Sequence, residues 1–402
     1  MERINNLEDI CEVITKGTTP TSVGFNFELD GTVNFVKIES FDKEGNILAD
    51  KVAKISEECN EALKRSQLKE GDILFSIAGA LGRVGIVNNN ILPGNTNQAL
   101  AIVRLKDKSD INIRYIKHIL SSEYVQNQVN NNKGGVAQQN LSLAQIKKFQ
   151  IPEYSLEKKL AIVEKLDQAF ELIDQAKANI EQNIINAKEL FQSKLDEVFS
   201  QKGDGWEESK LKEVGKIVSG ATPKSKVAEF WDGEISWITP KDLGTLGGQK
   251  YILGTSRKIT ELGLSSCSAQ LMPKGSVIMS SRAPIGHLGI ATDDICTNQG
   301  CKSIVPNENM NSEYIYYYLL SSKEALNKLG TGAVFPELSG KMFGDFTIPV
   351  PLLEDQEKAV KIFDEASELT NSLISIYHQK LNNLEELRKS ILEKAFRGEL
   401  TN

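Results

Sequence analysis

The sequence predicts an α/β (α+β) fold built twice. Two similar mixed α/β domains are separated by two long helices, expected to form an antiparallel coiled coil with pseudo-two-fold symmetry. Three observations predict this. The first is a direct repeat. Leu7–Pro20 (LEDICEVITKGTTP) returns as Leu211–Pro223 (LKEVGKIVSGATP), and Leu68–Val87 (LKEGDILFSIAGALGRVGIV) as Met272–Ala291 (MPKGSVIMSSRAPIGHLGIA). Thr96-Asn97-Gln98 returns as Thr297-Asn298-Gln299, and residues 135–199 match 332–396 at one fixed offset. So long a period excludes a short-repeat solenoid, and each copy is domain-sized. The second observation is the run of short β-rich stretches between Gly, Asn and Pro signals in each copy. The third is the proline-free stretch that ends each copy, with apolar residues spaced alternately three and four apart.

In chain order, each copy opens with a short amphipathic helix that stops at G-[TA]-T-P. Strands follow at Val33–Ile38, Asp72–Ile77, Gly85–Val87 and Leu100–Leu105, and helices at Ser56–Arg65 and Ile111–Val129. The second copy offers strands at Ile235–Ile238, Ser276–Ser280 and Cys301–Val305, and helices at Thr260–Leu264 and Ser312–Lys328. Ile151-Pro152 and Ile348-Pro349 close the domains, with proline ending the extended stretch. The expected boundaries are 1–152 and 203–350 for the domains, and 153–202 and 351–402 for the helices.

The first helix carries its stripe on Leu166, Phe170, Ile173, Ile180, Ile184, Ala187, Phe191 and Val198. The second carries Phe363, Thr370, Ile374, Tyr377, Leu381, Leu384, Ile391 and Ala395. Each is about 70 Å long at 1.5 Å per residue. Neither can bury its stripe alone, so each is the other's natural partner. Phe170, Ile173, Ile180, Ile184 and Phe191 should then face a seam shared with Ile374, Tyr377, Leu381, Leu384 and Ile391, with Gln201–Gly205 as the turn after the first helix. The competing arrangement packs each helix on its own domain.

Composition narrows the function. No apolar run approaches a membrane span, and Met1–Asn6 is polar, without a signal-peptide core. Five scattered cysteines without a C-x-x-C pair point to a reducing cytoplasm and free thiols. With three histidines in the chain, a zinc site is not expected. The net charge is −7. Residues 1–150 carry 18 basic and 18 acidic residues, residues 203–347 carry 15 and 16, and the segments 151–202 and 348–402 carry 7 and 10 each. The acid lies on the helices. The near-neutral domains leave room for basic patches but exert little long-range pull on DNA.

Several loops carry side chains suited to DNA. Gly17–Pro20 and Gly220–Pro223 read either as helix-stop chemistry or as loops offering Thr18, Thr19 and Thr222 to phosphate, with Lys16 and Lys224 beside them. Phe35 and Trp237 read as core, while Lys37, Thr239 and Lys241 at the following strand ends suit a groove. Ser76–Gly85 and Ser280–Gly289 lack G-x-x-x-x-G-K-[ST], which rejects a nucleotide P-loop. Their glycines suit a tight turn or close backbone approach. Ser76, Ser281, Arg83 and Arg282 are contact candidates there. The two arginines occupy different positions, so the copies would read different bases; each equally suits a surface ion pair. Asn97, Gln98, Asn298 and Gln299 carry amides that can pair with adenine edges or hold a turn. Residues 134–142, with Gln138, and 330–339 share a frame and differ in the middle, as recognition loops do and as drift also produces.

No [DN]-P-P-[FYW] methyltransferase motif, F-x-G-x-G cofactor loop, helicase P-loop or nuclease carboxylate cluster is evident, and the chain reads as a non-catalytic binder. At these residues a resemblance appears. The whole chain resembles the specificity subunit of type I restriction–modification systems, through the repeated G-x-T-P, S-W-I-T-P-K-D-L at 236–243, S-S-R-A-P-I-G at 280–286, T-N-Q-G at 297–300 and I-P-V-P-L-L-E-D-Q-E-K-A-V at 348–360. The first copy departs from the pattern. Residues 151–160 read I-P-E-Y-S-L-E-K-K-L, and S-I-A-G-A-L-G at 76–82 lacks the arginine.

The resemblance implies a subunit without an active site or cofactor of its own, acting on double-stranded DNA. Each domain reads half of a split asymmetric site, and the helices set the gap and dock two modification subunits. S-adenosylmethionine belongs to those partners. Restriction subunits that use ATP and Mg can join them. The competing classes are a coiled-coil protein scaffold, and a methyltransferase or nuclease with an unrecognised active site.

Overall fold

The computed structural model describes residues 3–42, 44–131, 140–201, 206–282, 284–331 and 336–400. The first copy contains β1 (Arg3–Asn6), β2 (Cys11–Lys16), β3 (Val33–Val36), β4 (Ala53–Ile55), β5 (Ile73–Ser76), β6 (Val84–Ile86), β7 (Gly94–Thr96), β8 (Leu100–Leu105) and β9 (Gln150–Glu153). They form sheets of order β2-β8-β5-β6, β4-β3-β7 and β1-β9. The second copy contains β10 (Glu207–Lys210), β11 (Gly215–Ser219), β12 (Trp231–Ile238), β13 (Tyr251–Ile252), β14 (Arg257–Ile259), β15 (Val277–Ser281), β16 (Ile285–Ala291), β17 (Ile295–Thr297), β18 (Cys301–Pro306) and β19 (Thr347–Val350). Its sheets are β11-β18-β15-β16-β13, β14-β12-β17 and β10-β19. The correspondence extends to direction. β3 runs parallel to β7 and antiparallel to β4, as β12 does to β17 and β14. β13, laid parallel to β16, is the addition in the second copy.

The larger sheet of each copy is covered on both faces, which is why its central strands read as continuous apolar runs. Successive side chains go to different cores. Ile73 and Phe75 of β5 pack with Tyr115, Ile116 and Ile119, whereas Leu74 joins Val36 and Ile102 on the other face. In the second copy Val277 and Met279 pack with Tyr314 and Ile315, and Ile278 joins Ile238 and Met272.

Three local expectations are corrected. G-x-T-P follows a strand in each copy, β2 or β11, and the preceding helices Leu7–Ile10 and Leu211–Val214 end earlier. A side chain at Gly17 would place its Cβ 1.9 Å from the Thr96 carbonyl oxygen, so glycine is required by the close approach to T-N-Q rather than by a helix stop. The helices expected at 111–129 and 312–328 each break once, at Ser122 and Ser322. Pro152 and Pro349 lie within β9 and β19 instead of ending them. Both strands belong to two-stranded sheets, where an edge position tolerates the missing N–H.

The chain divides into two compact units, residues 1–180 with 379–402, and residues 181–378. Each holds one α/β copy with part of both long helices, Leu156–Ser200 and Leu353–Phe396. The long helices pack against each other. In the first unit Asp174 pairs with Arg388 at 2.6 Å and Lys177 with Glu385 at 2.9 Å, so the helices run antiparallel there. In the second unit Phe199 stacks against Phe363 with ring centres 5.0 Å apart. Along the expected seam Phe170, Ile173 and Ile184 are buried, and Ile180, Phe191, Ile374, Tyr377, Leu381, Leu384 and Ile391 are half-buried. Leu172, Leu190 and Leu369, off the seam, are exposed.

Each copy is fastened to its own following helix by one aspartate. Asp167 receives His118 at 2.8 Å and Arg114 at 2.5 Å. Asp364, at the matching position, receives Lys250 at 2.7 Å and the Tyr317 hydroxyl. Just behind, Tyr115 donates to the Pro152 carbonyl at 2.6 Å, as Tyr314 does to that of Pro349 at 3.0 Å.

Candidate nucleic-acid interface

In both copies the G-x-T-P loop and the T-N-Q segment are clasped together. Thr19 Oγ1 donates to Gln98 Oε1 at 2.5 Å, and Thr222 Oγ1 donates to Gln299 Oε1 at 2.5 Å. The backbone closes the same joint: Thr18 N–H donates to Thr96 O at 3.1 Å and Ala221 N–H to Thr297 O at 2.9 Å. Each glutamine is exposed. With its oxygen accepting from threonine, its amide N–H groups point elsewhere, ready to donate. The preceding asparagines serve the turn itself. Asn97 Oδ1 accepts from the Ala99 N–H at 3.0 Å, and Asn298 Oδ1 from the Gly300 N–H at 2.9 Å. The asparagine's role is local and the glutamine's outward.

In the second copy three motifs distant in sequence meet at Gly300. A Cβ there would lie 2.9 Å from Pro240, 3.1 Å from Arg282 Nε and 3.2 Å from Asn298 Oδ1. Arg282 is thus drawn beside the clasp, with its guanidinium 3.8 Å from Glu337. Beneath it lies Lys302, buried, its amine 2.9 Å from the Gln299 carbonyl and 3.4 Å from Ser281 Oγ. Burial holds the Lys302 pKa below the ordinary lysine value, against the pull of Glu337. The first copy has Ala99 and Ala101 at the positions of Gly300 and Lys302.

The remaining candidates separate. Lys16, Lys224 and Lys241 are exposed. Thr18 Oγ1 accepts from Arg65 at 3.5 Å. Lys37 lies 4.2 Å over the Phe27 ring and 4.0 Å from Glu39. Thr239 caps the helix Pro240–Thr245, donating its hydroxyl to Asp242 at 2.6 Å. Burial pushes the Asp242 carboxyl up, but hydrogen bonds from Ser256 and from the Thr239 hydroxyl and N–H, the latter at 2.8 Å, outweigh it and hold the pKa below the usual carboxylate range. Ser76 and Ser281 are fully buried. Ser76 donates to Ala80 O at 2.5 Å and accepts from Arg83 N–H at 2.7 Å. Its counterpart Ser280 does the same for Pro284 and His287, at 2.7 and 2.8 Å. Arg83 is exposed but lines a cavity with Asp42, Lys117, Phe170 and Arg388, on the helix side of its domain. Gln138 and residues 202–205 of the expected turn lie outside the described residues.

Sequence reasoning missed Arg65, Lys302, Trp231 and Arg257. The last two lie together, with the Arg257 guanidinium 3.5 Å over the Trp231 ring. No motif flags them, because β14 and the start of β12 meet the clasp only through the fold. Among the described residues no cluster of His, Cys, Asp and Glu could hold a metal ion. All five cysteines are free thiols. No helix among the described residues is long and apolar enough to cross a membrane.

The sequence pattern of the family described as "Type I restriction modification DNA specificity domain" matches residues 3–184 and again 203–386. The chain is similar to the type I restriction enzyme MjaIX specificity subunit of Methanocaldococcus jannaschii, 39% identical over 41% of this chain and 38% of that one. It is also similar to the EcoR124I/EcoR124II specificity subunit of Escherichia coli, 29% identical over 54% of each chain. The matched parts thus span about two fifths and about half of those relatives. A chain of the solved structure described as "Structural basis underlying complex assembly and conformational transition of the type I R-M system" shares the fold, with TM-score 0.75 and 22% identity, over 99% of this chain and 98% of that one.

Proposed function

This chain belongs to the type I restriction–modification DNA specificity family, a non-catalytic chain that recognises DNA, and we propose that each of its two domains reads one half of a bipartite, asymmetric DNA site. The observation that carries this reading is the repeated clasp. Thr19–Gln98 and Thr222–Gln299 hold an exposed glutamine in the same orientation in each copy, while its surroundings differ. Arg282 and Lys302 stand beside one clasp, and Arg65 and Lys16 beside the other. A shared frame with different cations and donors is what two readers of different half-sites require.

The site residues follow. Gln98, Gln299 and Arg282 reach base edges. Lys16, Thr18, Lys37, Arg65, Lys224 and Lys241 meet the backbone. Ser76, Ser281, Asn97, Asn298 and Thr239 position the loops from within. The antiparallel helices fix the separation of the half-sites, and their exposed faces dock two modification subunits. Those subunits bind S-adenosylmethionine and transfer its methyl group; restriction subunits using ATP and Mg complete a cleaving complex. Domains of nearly zero net charge support weak DNA binding by the chain alone and selective binding in the complex.

Single-molecule methylation mapping of the host genome, with and without this gene, tests the reading. The expected result is one bipartite motif that loses methylation on deletion. An unaltered methylome in a strain with active modification subunits rules it out.

A further inference from the structure

The Arg257 guanidinium lies over the Trp231 ring, 3.5 Å from its centre, and 5.7 Å from that of Trp237. Three features make this a prepared site. The two indoles meet edge to face at 5.1 Å, so the platform is rigid. Strand register sets Arg257 directly opposite Trp237, on the edge strand β14. The platform is also bolted to the clasp loop. Trp237 Nε1–H donates to the Ala221 carbonyl at 3.0 Å and Trp231 Nε1–H to that of Lys224 at 3.3 Å, on either side of Thr222.

Stacking occupies a face of the guanidinium and leaves its N–H edge available. Arg257 is exposed and has no carboxylate partner among the described residues, although its neighbour Lys258 lies 3.7 Å from Glu234. Lys224 and Lys226, on the loop that the platform holds, are exposed and likewise have no ion pair among the described residues. The first copy builds a related device from other residues. Phe27 and Phe35 meet edge to face at 5.3 Å with Lys37 over Phe27, but that cation already faces Glu39.

The geometry points to Arg257 as a DNA-phosphate clamp of the second domain, held by Trp231 and anchoring the duplex backbone beside the Thr222–Gln299 clasp. This rests on the reading that the second domain meets DNA. A phosphate clamp positions without reading sequence. The guanidinium fork suits two phosphate oxygens, and the stacked ring fixes its plane before binding.

The test uses the full chain assembled with its modification subunits, and a duplex carrying the methylated motif found in the host. Affinity is measured from about 50 to 200 mM salt for wild type, Arg257→Gln and Arg257→Lys. One lost phosphate contact lowers the slope of log affinity against log salt by about 0.9. Arg257→Gln should show that loss with an unchanged methylated motif, and Arg257→Lys should keep the wild-type slope. An unchanged slope in Arg257→Gln overturns the clamp, as does an equal loss in Arg257→Lys. A relaxed base preference in one half-site overturns it in favour of base reading. Absence of any bipartite motif in the wild type overturns the underlying reading instead.

Discussion

The Thr222 hydroxyl donates a 2.5 Å hydrogen bond to Gln299 Oε1, joining residues from two separate loops at the rim of the second domain. Thr19 and Gln98 make the same bond in the first. Removing an exposed bond of this kind costs about 1 kcal/mol of stability or less. Its loss should matter more for the free orientation of the glutamine. Thr222→Val is expected to fold normally and to relax base preference, or reduce methylation, in one half of the motif. Thr19→Val should affect the other half. Methylome sequencing of the two variants checks this, and an identical effect on both halves counts against separate clasps.

Asp72 and Arg104 form a paired bridge in the first domain, with both bonds at 2.7 Å and Asp72 almost fully buried. The matching positions of the second copy are Ser276 and Val305. Asp72→Asn leaves the guanidinium half-satisfied and should cost about 3–5 kcal/mol. The double variant Asp72→Ser/Arg104→Val imports a solution the fold already uses, and should cost clearly less than the single variant. Urea unfolding of the full chain measures both; a double variant as damaged as the single contradicts the account.

His118 and Asp167 should make stability depend on pH. Burial holds the His118 pKa below the ordinary histidine value, over the opposing pull of Asp167, and Lys117 and Arg388 push the same way. Asp167 itself is held below the usual carboxylate range by His118 and Arg114, although burial opposes this. Both folded-state values lie below the unfolded ones. The unfolded chain therefore binds more protons, and stability falls on acidification. The His118 part is full above its unfolded value near 6.5 and is lost as pH falls below it, by at most about 1.4 kcal/mol per pH unit. The Asp167 part is lost only below about pH 4. His118→Tyr, which copies Tyr317, should flatten the loss of melting temperature between pH 7 and 5. An unchanged slope in that variant removes His118 as its cause.

The helices should act as a ruler. Deleting one heptad from each, Ile173–Asn179 and Thr370–Ile376, keeps the apolar register and shortens each helix by about 10 Å. DNA rises about 3.4 Å per base pair, so the spacer should shorten by up to about three pairs, and by fewer if the helices cross the duplex obliquely. The rotation of the duplex must still present its grooves, so activity can fall with the gap. Unchanged half-sites separated by a shorter spacer support the ruler; an unchanged spacer in an active complex rules it out.

The duplicated topology was legible in the sequence because matched turns and apolar runs recur at a fixed spacing. The helix seam was legible because a spacing of three and four persists over many turns. Cys11–Lys16 was misread as helical since so short an apolar pattern fits either period. Ser76 and Ser281 look like contacts by residue type, and only the covering of both faces of their sheet, seen in three dimensions, buries them. Thr239 was read as a groove contact although its T-x-x-D spacing carries the helix cap that the structure shows. Arg257 was hidden because its value comes from Trp231, a residue on another strand.

The most direct test of the central claim is exchange of residues 203–347 for the corresponding segment of another specificity subunit, followed by methylation mapping. Independent readers on a common frame predict a hybrid motif, with one half changed, the other kept and the spacer retained. A motif in which both halves change together would contradict the account.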